Sequence, residues 1–390
     1  DKPLGSGPYK VGRVSPGRWI EFERVKDYWA RDLPINKGRY NFDRVRQDYY
    51  RDATVANEAF LSGNSDLKFE NSAVRWASEA QLPAFRAGHI KRFSVPYRQA
   101  ANYVGLYINS RREFLSDRRV RQALLLAYDF EWVRRVVLKG HHGRLHSFFA
   151  NGDFEAKGLP RRDEPRLMET VQNQVPPEIF TQAPSFPVGG SWEARRANIV
   201  RAAAILRGAG HRVVDGKLID KRTGKPVILQ LVSYSPLMDK QVSLFVESAR
   251  QLGIQVVFRS FDTAQFRMKL RDYDYDLLLT IPMFAGLETP SFGMTLIWGS
   301  KAANMPQQLN YAGVRNPAAD AMLDVMLKAQ DRPTVVAAMR ALDRILLWNY
   351  YAIPFQHNYP APIGQMPVTY WDRFGRPAKH PPYNFSFYSL

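Results

Sequence analysis

The chain has 390 residues, 45% hydrophobic and 13% aromatic, which is enough to fill two ordinary cores and too apolar for a disordered polypeptide. Lys and Arg number 55 against 37 Asp and Glu, a net charge of +18, yet arginine pairs at 111/112, 118/119, 134/135, 161/162 and 195/196 are scattered and many other cations lie among acids, which fits a solvated basic surface better than a phosphate-binding stripe. The absence of cysteine excludes disulfides, thiolate zinc sites and a cysteine nucleophile, no stretch reaches the ~20 apolar residues of a membrane span, and Asp1 to Gly5 carry no signal-peptide core.

Taken in order, Gly5-Ser6-Gly7-Pro8 leads into a predicted hairpin, Val11 to Val14 and Trp19 to Val25, closed by Ser15-Pro16-Gly17-Arg18. A strand over Asp43–Tyr50, a helix over Ala53–Leu61 stopped by Ser62-Gly63, a short strand Leu67–Phe69 and helices over Ala73–Ala80 and Leu82–Ala87 follow. Strands at Arg92–Val95 and Val104–Asn109 flank Pro96 to Asn102, where a crossing between domains is expected near residues 98 to 104. Asp117 caps a helix that puts Val120, Ala123, Leu124, Ala127 and Tyr128 on one face, and Trp132 to Val137 form a second helix. Lys139 to Ser191, rich in Gly, Pro and charge, reads as an irregular segment wrapped on a surface.

Asn198 to Thr280 carries the clearest signal. A helix ends at Gly208-Ala209-Gly210, a hairpin turns at Asp215-Gly216, and strand Val227–Val232, a helix through Val242 and Phe245, strand Ile254–Phe258, a helix through Phe266 and strand Asp276–Thr280 complete the series. Strand, helix, strand, helix, strand predicts a parallel sheet with crossover helices, with a ligand beyond the strand carboxyl ends near Tyr234 and Met283. Ile281 to Gln308 is read as loop, Ala318–Leu327 and Val335–Leu347 as amphipathic helices, and Ala352–Gln356 as a short strand at a return crossing. Residues 358 to 390, dense in Pro, Tyr and Phe, are expected to pack on the first domain.

His141, His142 and His146 form the one histidine cluster, but no carboxylate that would orient them is evident and Gly140 and Gly143 loosen the loop, so no metal is expected. Asp272, Asp274 and Asp276 lack the glycine turn and distal Glu of a calcium loop and read as a solvated strand entry. No nucleotide, zinc-protease or nucleophile-elbow motif occurs, and no cofactor is expected. What remains is a set of aromatic and amide side chains at loops and crossings: Asn102, Tyr103, Tyr234, Met283, Phe284, Trp298, Tyr311, His357 and Asn358. Such groups suit a cleft that holds its ligand by stacking and a few polar contacts.

Five stretches together resemble the family 5 extracellular solute-binding proteins of peptide ABC importers, closest to their YejA-type branch. They are Gly5-Ser6-Gly7-Pro8-Tyr9, Glu23 to Trp29, Asp117 to Leu124, Trp298-Gly299-Ser300 and Ala341 to Trp348. The resemblance implies an α/β, two-lobed periplasmic binding protein of type II (cluster C), with mixed sheets and crossover helices. Residues 1–103 would belong to lobe I, 104–353 to lobe II and 354–390 to a return into lobe I. It implies a non-enzymatic, periplasmic protein that closes on an oligopeptide or peptide-like compound and delivers it to a permease with ATPase subunits in the inner membrane, with no role for nucleic acid. The family begins well before its Gly-Ser-Gly-Pro-Tyr motif, so the chain is expected to be the later part of a longer protein whose N-terminal portion completes lobe I. Many peptide-binding relatives carry an Asp in the loop after the last lobe II strand to pair with the ligand ammonium; the matching loop here, Met283 to Phe292, offers only Glu288, so either Glu288 takes that role or the ligand is not held by its amino terminus. A basic nucleic-acid or anionic-surface binder and a hydrolase or transferase on a two-lobed scaffold are the competing readings.

Overall fold

Short alternating segments build one part of this chain and apolar runs bounded by glycine build the other, and the computed structural model accordingly divides into two compact units. The first comprises residues 1–69, 78–93 and 368–390, the second residues 70–77 and 94–367. The structure describes residues 3–70, 72–96, 103–234, 236–280, 291–356 and 365–372. The described strands are β1 Tyr9–Ser15, β2 Trp19–Arg24, β3 Arg44–Asp48, β4 Leu67–Phe69, β5 Ile90–Pro96, β6 Gly105–Ile108, β7 Arg212–Val214, β8 Lys217–Ile219, β9 Ile228–Ser233, β10 Gln255–Ser260, β11 Leu277–Thr280, β12 Ala352–Pro354 and β13 Gln365–Trp371.

In the first unit β1, β2 and β3 form an antiparallel sheet, with Val14 opposite Ile20 and Phe22 opposite Val45. Its hairpin turns at Gly17, whose φ of 72° a side chain would resist. Asp52 caps the helix Ala53–Leu61 by accepting from the Thr54 and Val55 amides, as the sequence boundary predicts. A second sheet has the order β4, β13, β5, with Val368 opposite Phe69, so the aromatic-rich C-terminal region contributes a strand to it. Residues 373–390 lie outside the described residues.

The second unit is organised on a five-stranded sheet of order β10, β9, β11, β6, β12. β10 and β11 run parallel to β9, which bears out the expected crossover pattern, while β6 is antiparallel to both β11 and β12. Two cores sit on its opposite faces, as alternation requires: Tyr107, Val232 and Leu278 belong to one, and Leu106, Ile108, Leu231, Leu277 and Leu279 to the other. The helices Arg118–Leu126, Trp192–Gly208 and Pro236–Gln251 supply the second core, and Pro317–Lys328 and Arg332–Trp348 the first. Asp215 and Gly216, at φ 47° and 75°, make the tight turn between β7 and β8.

One expectation changes in character. Residues 139–191 hold only short helical turns at Glu164–Glu169, Gln172–Gln174 and Glu178–Thr181, yet Leu145, Phe148, Phe149, Phe154, Met168 and Ile179 are core residues rather than a surface wrap. Two buried ionisable side chains on the helix Arg332–Trp348 tie them down. Asp343 accepts from the backbone amides of Phe148 (3.0 Å) and Ala156 (2.9 Å). Arg344 donates to Glu164 Oε2 (2.8 Å) and to the carbonyls of Gly158 (2.6 Å), Lys157 (3.1 Å) and Leu159 (3.0 Å). Side-chain and backbone polar groups replace regular secondary structure as the partners of this segment.

Candidate ligand-binding site

The register of the five-stranded sheet gathers one set of chain ends. Gly105 at the start of β6 lies opposite both Thr280, the end of β11, and Pro354, the end of β12, while Ser233 and Ser260 end β9 and β10 side by side. Tyr103, Tyr234, Phe355 and Gln356 therefore flank one end of the sheet. This is the carboxyl end of the parallel strands, where open α/β sheets hold ligands. The close approach of the edges needs Gly105: a Cβ there would stand 2.6 Å from the Tyr103 ring and 2.8 Å from the Ile353 carbonyl oxygen.

From this end a row of rings runs into the unit. Tyr103 stacks on Phe148 (centroids 4.4 Å apart), Phe148 meets Trp298 edge-on (4.8 Å), Tyr103 meets Tyr107 (5.8 Å) and Tyr107 meets Tyr311 (6.2 Å). Three sequence-predicted residues, Tyr103, Trp298 and Tyr311, are thus brought together through two that the sequence did not single out, Tyr107 and Phe148. Tyr234 stands at the same sheet end but packs on Phe266 (4.9 Å) rather than in the row. Asn102, Met283, Phe284, Glu288, His357 and Asn358 lie outside the described residues.

A half-buried arginine accompanies the rings. The Arg144 backbone forms an antiparallel β-bridge with Gln356, and its guanidinium lies over Phe130 and Phe186 (5.5 and 5.2 Å) and directs Nη1 to the Pro187 carbonyl (2.6 Å) and Glu131 (3.3 Å). Burial pulls its pKa down and Glu131 works in the opposite direction, but a guanidinium remains charged at neutral pH. Its Nε and Nη2, the fork edge suited to a carboxylate, have no hydrogen-bond partner among the described residues, and neither do the buried hydroxyls of Tyr103, Tyr107 and Tyr128 or Gln356 Oε1. Burial raises the pKa of each of these three tyrosines well above the ordinary phenol, so they act as neutral donors and acceptors.

The histidine and aspartate clusters are absorbed by structural pairs. His146 Nε2 bonds Glu155 Oε1 at 2.5 Å, and that contact raises the imidazole pKa. Asp272 pairs with Arg271, Asp274 with Lys269, and Asp276 with Arg112 (3.1 Å) and the Gln230 amide (2.7 Å). Among the described residues no group of three or more His, Asp or Glu is placed to hold a metal, and no helix is long and apolar enough to cross a membrane.

A family model described as bacterial extracellular solute-binding proteins, family 5 Middle, matches residues 1–305. An uncharacterized protein of Sinorhizobium fredii, y4wM, is 36% identical over 386 residues, 98% of this chain and 57% of that protein. The probable peptide-binding protein YejA of Agrobacterium fabrum is 33% identical over 386 residues, 98% of this chain and 62% of its own length. The chain therefore spans about three-fifths of the relatives it matches. Among solved structures, the oligopeptide-binding protein AppA of Bacillus subtilis, in complex with a nonapeptide, superposes with a TM-score of 0.68 at 18% identity, covering 96% of this chain and 64% of that one; its likeness establishes the fold. By the extent of the family match, joined to the mixed α/β sheet, the chain belongs to the family 5 bacterial extracellular solute-binding proteins.

Proposed function

We propose that this chain is the ligand-holding part of a periplasmic solute-binding protein that captures an oligopeptide or peptide-like compound and delivers it to an ABC permease with its ATPase subunits. The observation that carries the reading is the conjunction at one sheet end of an aromatic row and a half-buried arginine whose Nε–Nη2 edge has no partner among the described residues. Rings supply stacking area for side chains or peptide planes, and a fork edge is suited to a carboxylate or carbonyl. The names of the YejA relative and of AppA, a peptide-binding and an oligopeptide-binding protein, support the same ligand class. Residues 1–103 and 354–390 would contribute to one lobe and 104–353 to the other, with the ligand closing the protein around Tyr103, Trp298, Tyr311, Asn102, Tyr234, Met283, Phe284, His357 and Asn358. Glu288 is assigned to the ligand ammonium. The chain performs no chemistry of its own in this reading.

In calorimetric titration of the full-length gene product, Arg144→Lys is expected to weaken peptide affinity ~10-fold, because lysine keeps the charge and loses the planar fork. Glu288→Gln is expected to remove a similar preference for free-amine over N-acetylated peptides. Unchanged affinity in the lysine variant would release Arg144 from the role, and an undiminished amine preference in the glutamine variant would do the same for Glu288.

A further inference from the structure

A second concavity of the second unit, about 470 Å³, lies between the helices Arg118–Leu126, Trp192–Gly208 and Arg332–Trp348 and residues 182–188, and adjoins Arg144 through Phe186 and Pro187. That volume is within the range of small-molecule sites. Its loop wall is fastened from three directions: the Pro187 carbonyl accepts from Arg144 (2.6 Å), the Val188 carbonyl from Asn198 (3.0 Å), and the Gly189 amide donates to Glu131 (2.9 Å). Gly189 leaves no room for a side chain, since a Cβ would fall 2.2 Å from Asp129 Oδ1. The cavity is consequently a built feature rather than a gap beside a loose loop.

Its lining has a directional chemistry. Leu125, Phe186, Trp348 and Tyr350 offer apolar and flat surface, Gln122 offers an amide, and Arg201 is the one charged side chain among the lining residues. Arg201 is exposed and makes no ion pair among the described residues, which leaves its guanidinium at the rim. Trp348 Nε1 is buried with no hydrogen-bond partner among the described residues, an uncompensated donor that calls for an acceptor. Tyr350 holds a φ of 55°, uncommon for an aromatic residue, at the junction of the last long helix and β12, where burial raises its phenol pKa, Arg118 lying over the ring lowers it, Glu178 raises it and Arg201 lowers it. Glu178 itself does not line the cavity.

We infer that this cavity is a binding site for a planar aromatic monocarboxylate, with its carboxylate on Arg201 at the rim, its ring among Phe186, Trp348 and Tyr350, and an inward acceptor atom on the Trp348 N–H. The site meets the proposed peptide site at Pro187, whose carbonyl holds Arg144, and it does not depend on that site for its ligand. The test is calorimetric titration of the full-length protein with 4-hydroxybenzoate and, in parallel, 4-hydroxybenzamide. Saturable binding of the acid, at least ~10-fold weaker binding of the neutral amide, a similar loss in Arg201→Gln and a smaller loss in Trp348→Phe are expected. Peptide binding by Arg201→Gln should be unchanged. No saturable binding of the acid, equal binding of the amide, or equal binding by Arg201→Gln overturns the inference, as does loss of peptide affinity in that variant, which would merge the two sites.

Discussion

Arg344→Met should destabilise the second unit by ~3–5 kcal/mol in urea unfolding. The side chain is fully buried, and its guanidinium meets a buried carboxylate and three backbone carbonyls. Methionine fills similar space but leaves Glu164, only 3% exposed, as an unpaired buried anion and the carbonyls of Lys157, Gly158 and Leu159 without this donor. Adding Glu164→Gln to Arg344→Met should recover part of the loss, because the stranded charge is then gone while the orphaned carbonyls remain. A single variant within ~1 kcal/mol of the parent, or a double variant no better than the single, would show that the clamp does not hold residues 157–164 to the helix.

The neighbouring Asp343 sets a second large expectation, now in pH. Burial pushes its pKa from 3.8 to about 7, against the stabilising donation from the Ala156 and Phe148 amides. With the folded pKa above the unfolded one, the folded state holds a proton that the unfolded state releases between pH ~4 and ~7, so this group's contribution is full below pH ~4 and lost as pH rises toward 7. About three units correspond to ~4 kcal/mol. Other groups act nearby: His146, raised by Glu155, also loses its contribution as pH rises through its folded pKa, whereas Glu155, lowered chiefly by that histidine against the penalty of burial, loses its contribution as pH falls. The difference between parent and Asp343→Asn isolates the aspartate. Their stability difference should change by ~4 kcal/mol between pH 4 and 7, the parent declining relative to the variant, and a pH-independent difference would mean that Asp343 is ionised throughout.

Both predictions rest on contacts that no local pattern in the sequence announces. Helices and strands between Asn198 and Thr280 were legible because apolar periodicity, Asp215-Gly216 and the closing glycines are local signals, and the parallel core of the sheet followed from their order. Phe148 and Trp298, or Glu164 and Arg344, stand far apart in the chain and meet only through folding. Phe148 and Arg144 lie in a stretch without period, so their joint burial was hidden, although an aromatic pair beside an arginine in so irregular a segment was a usable hint. Tyr103, Trp298 and Tyr311 were found as aromatics at expected strand ends and loops. Tyr107 was missed because in an apolar strand it reads as ordinary core, and Gln356 was noticed only as part of the return crossing.

The central proposal, capture of a peptide or peptide-like solute, is tested most directly by purifying the full-length gene product without denaturant, unfolding it and identifying the released small molecules by mass spectrometry. Peptides or peptide-like compounds released in near-equal amount to the protein, and rebound by the refolded protein in calorimetry, are the predicted result. Release of a different ligand class, or an empty protein that binds no member of a peptide library, would contradict it.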